Sequence, residues 1–365
     1  MRYLKLLSDT LTHGTGYSSL NFLMHAPQPL DEQRIWNFIT GIPEQGFVHW
    51  LREAYPPPLM RKLLLRRLQY QEARLGIEAH YDVSNEFYKL FLDSKFMFYS
   101  CADHLTGHET LEEAQTNKAN HILGLIDPQP GQRILELGCG WCSMLRHVEQ
   151  HTHDRDNLWG YTLSKEQAAY NEQHYGYHVK LQDFVKADLE PEFYDTIYSV
   201  AAWEAIRPQE VDVILNKVSR ALKPGGKFVL HFFCRLQNRL PAALSVAQLF
   251  FPGHVPTSYS AHVKAFERAG FRLTHTSAHD YRPTLRNWFD RLVAHREEAL
   301  ELVGTEVYNR YVVFFPASWK YFNERTGVLF RFAMQKGTGK RDSSGIPLLE
   351  PAAKVIEPPL VGAHP

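Results

Sequence analysis

The sequence predicts an α/β protein: a doubly wound, mostly parallel sheet with a helical lid and a small N-terminal helical domain. Three observations carry this. Short apolar runs at 133–137, 158–162, 178–182, 194–200 and 227–233 alternate with helical segments at 142–151, 165–175 and 210–222, the pattern of strand–helix–strand units. The first run enters a turn with two glycines one residue apart, Gly138-Cys139-Gly140, where the missing Cβ atoms let the backbone approach a ligand. Lys223-Pro224-Gly225-Gly226 stops the third helix and turns into the fifth strand.

Taken in chain order, residues 1–75 form a helical appendage. Leu30-Asp31-Glu32-Gln33 opens a helix, and Pro56-Pro57-Pro58 breaks the chain before a second helical stretch. That stretch, residues 60–68, mixes leucines with Arg61, Lys62, Arg66 and Arg67. Such a basic amphipathic helix lies on an anionic membrane surface or packs with its cations solvated. Residues 76–336 hold the alternating domain. The apolar runs Phe271 to Thr274 and Val328 to Ala333 complete its sheet. Residues 240–253 are too apolar for a solvent loop and too short to span a bilayer, which fits a lid over an apolar cleft or a core helix. Residues 337–365, rich in Pro, Gly and Ser, read as a disordered tail.

Forty basic residues balance forty acidic ones, so no global field draws the chain to nucleic acid. No apolar run is long enough for a membrane span or a secretory leader, and four cysteines are too few for a disulfide scaffold in 365 residues. A reduced, cytoplasmic protein is the expectation. Cys139-Gly140-Trp141-Cys142 has redox-motif spacing, but no second pair completes a zinc site, and no metal is expected.

The glycine turn does not fit dinucleotide binding. Ser143 stands where a third glycine belongs, and no acid closes the next strand. Glu136, just before the glycines, suits a cationic cofactor that bears an amino acid; S-adenosylmethionine is the obvious one. Hydroxyl and amide groups at Thr162, Ser164 and Gln167 follow the second strand, placed for ribose hydroxyls or for capping the next helix. Asp183 ends the third strand, where a carboxylate can accept a bond from an exocyclic amine.

Several ordered blocks resemble the cyclopropane-fatty-acid synthase family of S-adenosylmethionine-dependent methyltransferases. They are His80-Tyr81-Asp82-Val83-Ser84-Asn85-Glu86-Phe87-Tyr88, Tyr99-Ser100-Cys101-Ala102, Thr110-Leu111-Glu112-Glu113-Ala114-Gln115, Gly160-Tyr161-Thr162-Leu163-Ser164-Lys165-Glu166-Gln167, Phe251-Pro252-Gly253 and Tyr281-Arg282-Pro283-Thr284-Leu285-Arg286-Asn287-Trp288. The resemblance covers residues 80–336 and implies a Rossmann-like methyltransferase sheet. It also implies that Tyr99, Ser100, Glu136, Gly138, Cys139, Gly140 and the run Thr162, Leu163, Ser164, Lys165, Glu166 and Gln167 surround S-adenosylmethionine, with Asp183 and Phe184 flanking the adenine.

In the family a bound bicarbonate serves as base. The matching positions here are Cys101, Glu204, His231, Tyr281 and the backbone of Phe233. The implied activity is transfer of a methylene or methyl group to the double bond of an unsaturated phospholipid acyl chain, or another apolar alkene. The expected location is cytoplasmic, with peripheral contact to the inner membrane face where Arg61, Lys62, Arg66 and Arg67 serve as a membrane-surface helix, and a homodimer is compatible with it. The chain departs from the family at Trp203-Glu204-Ala205, where Phe-Glu-His is usual, and at Cys142, which replaces the third glycine of the cofactor turn. These departures keep a rival open, a C- or N-methyltransferase for a soluble metabolite. A protein of this fold that binds lipid or cofactor without catalysis is a third reading.

Overall fold

The computed structural model describes residues 2–47, 84–236, 243–251 and 255–338, with isolated positions between 50 and 63. Arg61, Arg66, Arg67, residues 80–83, Pro252, Gly253 and the predicted tail beyond 338 lie outside the described residues; Lys62 is exposed.

Seven strands form one sheet: β1 (Ile134–Leu137), β2 (Leu158–Thr162), β3 (His178–Leu181), β4 (Tyr194–Val200), β5 (Leu222–Arg235), β6 (Phe271–His279) and β7 (Gly327–Lys336). Their order is β3-β2-β1-β4-β5-β7-β6. β1 to β5 pair in parallel, and β7 runs antiparallel between β5 and β6. All four residues of β1 are buried, as a strand covered on both faces requires. The order reverses at β1, with β2 on one side and β4 on the other. Ligands of doubly wound sheets bind beyond the strand ends at such a switch point.

The helices are α1 (Arg2–His13), α2 (Thr15–Met24), α3 (Glu32–Thr40), α4 (Asn85–Lys89), α5 (Leu111–Ile126), α6 (Ser143–Thr152), α7 (Lys165–His174), α8 (Val211–Ala221), α9 (Ala243–Ala247), α10 (Tyr259–Arg268), α11 (Arg282–Ala294) and α12 (Arg296–Asn323). Helices α8 and α10 cover one sheet face. Their Ile214, Leu215, Val218 and Phe266 share a buried cluster with Leu135, Ile197, Phe228, Leu230 and Phe232 of the strands. Helices α5 and α6 cover the other face through Ile122, Leu145 and Val148 on Ile134, Tyr198 and Val229.

The structure departs from the sequence expectation in two places. β5 starts at Leu222 rather than 227, because Lys223-Pro224-Gly225-Gly226 forms a bulge: Tyr194 pairs with Leu222 and Thr196 with Lys227. The helix does stop there, at Ala221. Helices α4, α5, α10, α11 and the long α12 are additions to the expected set; α12 is broken at Gly304, whose φ is 73°. The apolar 240–253 segment is described at 243–251, where α9 packs beside α2.

The N-terminal helices join a third apolar cluster with α4, α11 and α12. Leu20, Met24, Ile35, Trp36 and Ile39 bury against Leu285, Phe289, Val312 and Phe315. Each such side chain contributes about 1.5–3 kcal/mol of burial. Asn309 of α12 ties the α2–α3 link down, accepting from Leu30 N at 2.9 Å and donating to Gln28 O at 3.0 Å.

Candidate active site

A cavity of about 1120 Å³ opens at the carboxyl ends of β1, β2 and β4. Its polar end is built by the glycine turn. Gly138 has φ 82°, and a Cβ there would sit 2.3 Å from Ala202 Cβ, so only glycine fits. Cys142, in the place of a third glycine, adopts φ 63° as a non-glycine residue and starts α6. Glu136 is buried beneath this turn. Burial pushes its carboxyl up to about 8, against the opposing hydrogen bond from Tyr198 OH (3.0 Å) and the charge of Lys118. An acid held protonated in this way is poised to ionise when a cation arrives.

Opposite the turn, Thr162 Oγ1 donates to Gln167 Oε1 at 2.7 Å, and Ser164 Oγ accepts from Gln167 N at 3.3 Å. The capping role is therefore real, and the same residues line the cavity. Ser100 also lines it, its hydroxyl accepting from Lys118 Nζ at 2.7 Å. Burial lowers Lys118 to about 7, and its ammonium sits 3.4 Å over the Phe98 ring.

Of the predicted site residues, Tyr99, Ser100, Glu136, Gly138, Cys139, Gly140, Thr162, Leu163, Ser164, Lys165, Glu166, Gln167, Phe184, Glu204, Phe233 and Tyr281 all line this one cavity. Asp183 does not; its Oδ1 accepts from Val185 N at 3.0 Å, and Gln182 lines the wall instead. Cys101 and His231 are also absent from the lining. Cys101 Sγ donates to Asp280 O at 3.5 Å, and burial pushes its thiol well above the ordinary value. His231 sits one layer behind, beside Val200, which does line the cavity.

Glu204 follows β4 in a single 3-10 turn (Trp203–Ala205). Burial raises its carboxyl to about 8, and Oε2 is buried with no hydrogen-bond partner among the described residues. The other end of the cavity is apolar. It is walled by Leu20 and Ile39 from α2 and α3, Leu244 and Phe250 in and beside α9, Trp288 from α11 and Phe314 from α12. The sequence expectation sets residues 1–75 apart from the site; the available clue to their role is the Trp36 and Ile39 spacing on one helical face.

The donor set fits S-adenosylmethionine: a cradle that a Cβ would fill, a buried acid for a positive charge, and ribose-sized polar groups at Thr162 and Gln167. Sheet order, glycine turn and acid together define a methyltransferase of the α/β class that uses this cofactor. Within that class the chain belongs to the mycolic acid cyclopropane synthetase family, whose model matches residues 69–332.

Cyclopropane mycolic acid synthase 3 of Mycobacterium tuberculosis is 30% identical over 285 residues, covering 72% of this chain and 96% of its own length. The crystal structure of mycolic acid cyclopropane synthase CmaA1 complexed with SAH and CTAB matches with a TM-score of 0.65 and 28% identity, over 72% of this chain and 98% of that one. Coclaurine N-methyltransferase bound to N-methylheliamine and SAH shares the fold, with a TM-score of 0.66 and 19% identity over 89% of this chain and 100% of its own.

Proposed function

We propose that the protein transfers a methylene from S-adenosylmethionine to the double bond of an unsaturated phospholipid acyl chain, closing a cyclopropane ring. One observation carries this reading: the polar cofactor end and a long apolar wall belong to a single cavity that also holds Glu204. The bound cofactor supplies an electrophilic methyl group on a sulfonium. The apolar wall orients the acyl chain and excludes water, which a weakly nucleophilic alkene requires.

Alkylation leaves a carbocation, and ring closure requires loss of one proton to a base. Glu204, His231 and Tyr281, with Cys101 and the Phe233 backbone, would hold a bicarbonate for that purpose. Glu204 Oε2 and His231 Nε2 are each buried with no hydrogen-bond partner among the described residues, and a protonated carboxyl and an imidazole N–H would each donate to such an anion. Arg61, Lys62, Arg66 and Arg67 would draw the enzyme to anionic vesicles, with binding that weakens as salt rises.

A C- or N-methyltransferase for a soluble metabolite is the second reading, favoured by Ala205, which lines the cavity where the family usually carries histidine. Mass spectrometry of lipids from cells expressing the protein, beside a Glu204→Gln strain, separates the two. The expected result is a gain of one CH₂ on unsaturated acyl chains that is lost in the variant. Unchanged lipids with intact cofactor binding would overturn the lipid reading.

A further inference from the structure

Behind the cavity wall lies a buried polar junction that the proposed reaction does not itself explain. His231 of β5 and Arg331 of β7 are direct partners across the antiparallel pair. Both are fully buried. Arg331 Nε donates to His231 Nδ1 at 2.9 Å. Its other nitrogens grip Asp103 in a two-pronged pair, Nη1 to Oδ2 at 2.6 Å and Nη2 to Oδ1 at 2.8 Å. His279 Nδ1 reaches the same carboxylate at 3.1 Å.

We propose that Arg331, held by Asp103, is a positioning residue that fixes the tautomer of His231, placing its single proton on Nε2. The reason is elementary. A guanidinium has five donors and no acceptor, so the nitrogen facing it must offer a lone pair. A proton on Nδ1 would set N–H against N–H. His231 is therefore a hydrogen-bond donor through Nε2 and is not the base that removes a proton.

Nε2 is buried and has no partner among the described residues. The partner it calls for is an acceptor: a small anion or a carbonyl oxygen at the nearby wall. Ala201, which lines the cavity, donates its N–H to His231 O at 2.8 Å, so the His231 main chain runs directly beside that wall. The groups that face His231 are Arg331 from β7, Lys118 from α5, Asp103 ahead of α5 and His279 from β6. Burial, then the positive charges of Arg331 and Lys118, hold the imidazole well below its ordinary value.

The functional meaning of this donor rests on the proposed reaction; the tautomer does not. Nitrogen-15 NMR of histidine-labelled protein, with His231→Gln for assignment, reads the tautomer directly. The expected spectrum shows Nδ1 bare and Nε2 protonated, without titration between about pH 6 and 8. In Arg331→Met the single tautomer should be lost, with Nδ1 partly protonated although burial still holds the ring below its ordinary value, and methyl transfer to unsaturated phospholipid vesicles should fall about tenfold or more. Arg331→Lys, which keeps the charge without the fork, should recover part of the rate.

A protonated Nδ1 in the unmodified protein overturns the proposal, and that spectrum decides even if Arg331→Met fails to fold. Loss of activity at every pH with an unchanged tautomer overturns it too, since that marks a purely structural role. A correct tautomer in a protein that leaves lipids unaltered would sink the lipid reading and leave this inference standing.

Discussion

At the scale of single residues, Glu136 has the clearest titration behaviour. Its folded value of about 8 lies above the ordinary 4.5, so the folded, ligand-free protein keeps a proton that the unfolded chain releases. Stability from this group is present below about 4.5 and lost as pH rises through about 8. A cationic cofactor favours the ionised carboxyl, so its affinity should climb as pH approaches 8. Calorimetry of S-adenosylmethionine binding across that window should show the climb, and Glu136→Gln should flatten it. Glu136 is legible in the sequence because the acid and the glycines are contiguous. Asp183 is not, because whether a strand-end carboxylate faces a ligand or caps its own turn depends on one peptide's orientation. Cys101, in the loop ahead of α5, and His231, in β5, are both fully buried, and neither lines the cavity.

Elements are readable where local chemistry dictates their ends. Asp31 caps α3, accepting from Arg34 N at 2.9 Å. Thr110 and Glu113 form a reciprocal capping box at the start of α5, with Thr110 N donating to Glu113 Oε2 at 2.9 Å. Thr110→Ala should cost about 1 kcal/mol, seen as a lower urea midpoint with an unchanged slope. Helices α11 and α12 are harder to read. Their buried faces meet mainly other helices, with only the end of α12 reaching Phe233 of β5, and the break at Gly304 interrupts the period of α12.

Across the whole molecule, distant segments are joined by charge as well as by apolar contact. Asp103 and Arg331 are 228 positions apart, a separation at which no sequence pattern announces a pair. Burial opposes ionisation of Asp103, but hydrogen bonds from His121, His279 and Arg331 hold it far below the usual carboxylate range. Its contribution is therefore present above the unfolded value and lost as pH falls through the folded one. Asp103→Asn strands a buried guanidinium and should destabilise by about 3–5 kcal/mol, measured by chemical denaturation at neutral pH. The N-terminal helices belong at this scale too: an amphipathic pattern shows that they bury a face, but only the packed chain shows that face walling the cavity.

The position of β7 bears on how the chain reaches this state. It follows every other strand in sequence yet lies between β5 and β6, so both neighbours lack a partner on that side until residues 327–336 have been made. During synthesis β5 stays an open edge carrying Phe228, Leu230 and Phe232, a template for unwanted pairing. His231 and Arg331 stand 100 positions apart, and closure across a span of that order is slow. The nascent sheet is therefore most exposed to aggregation in the interval between the birth of β5 and the emergence of Arg331 from the ribosome.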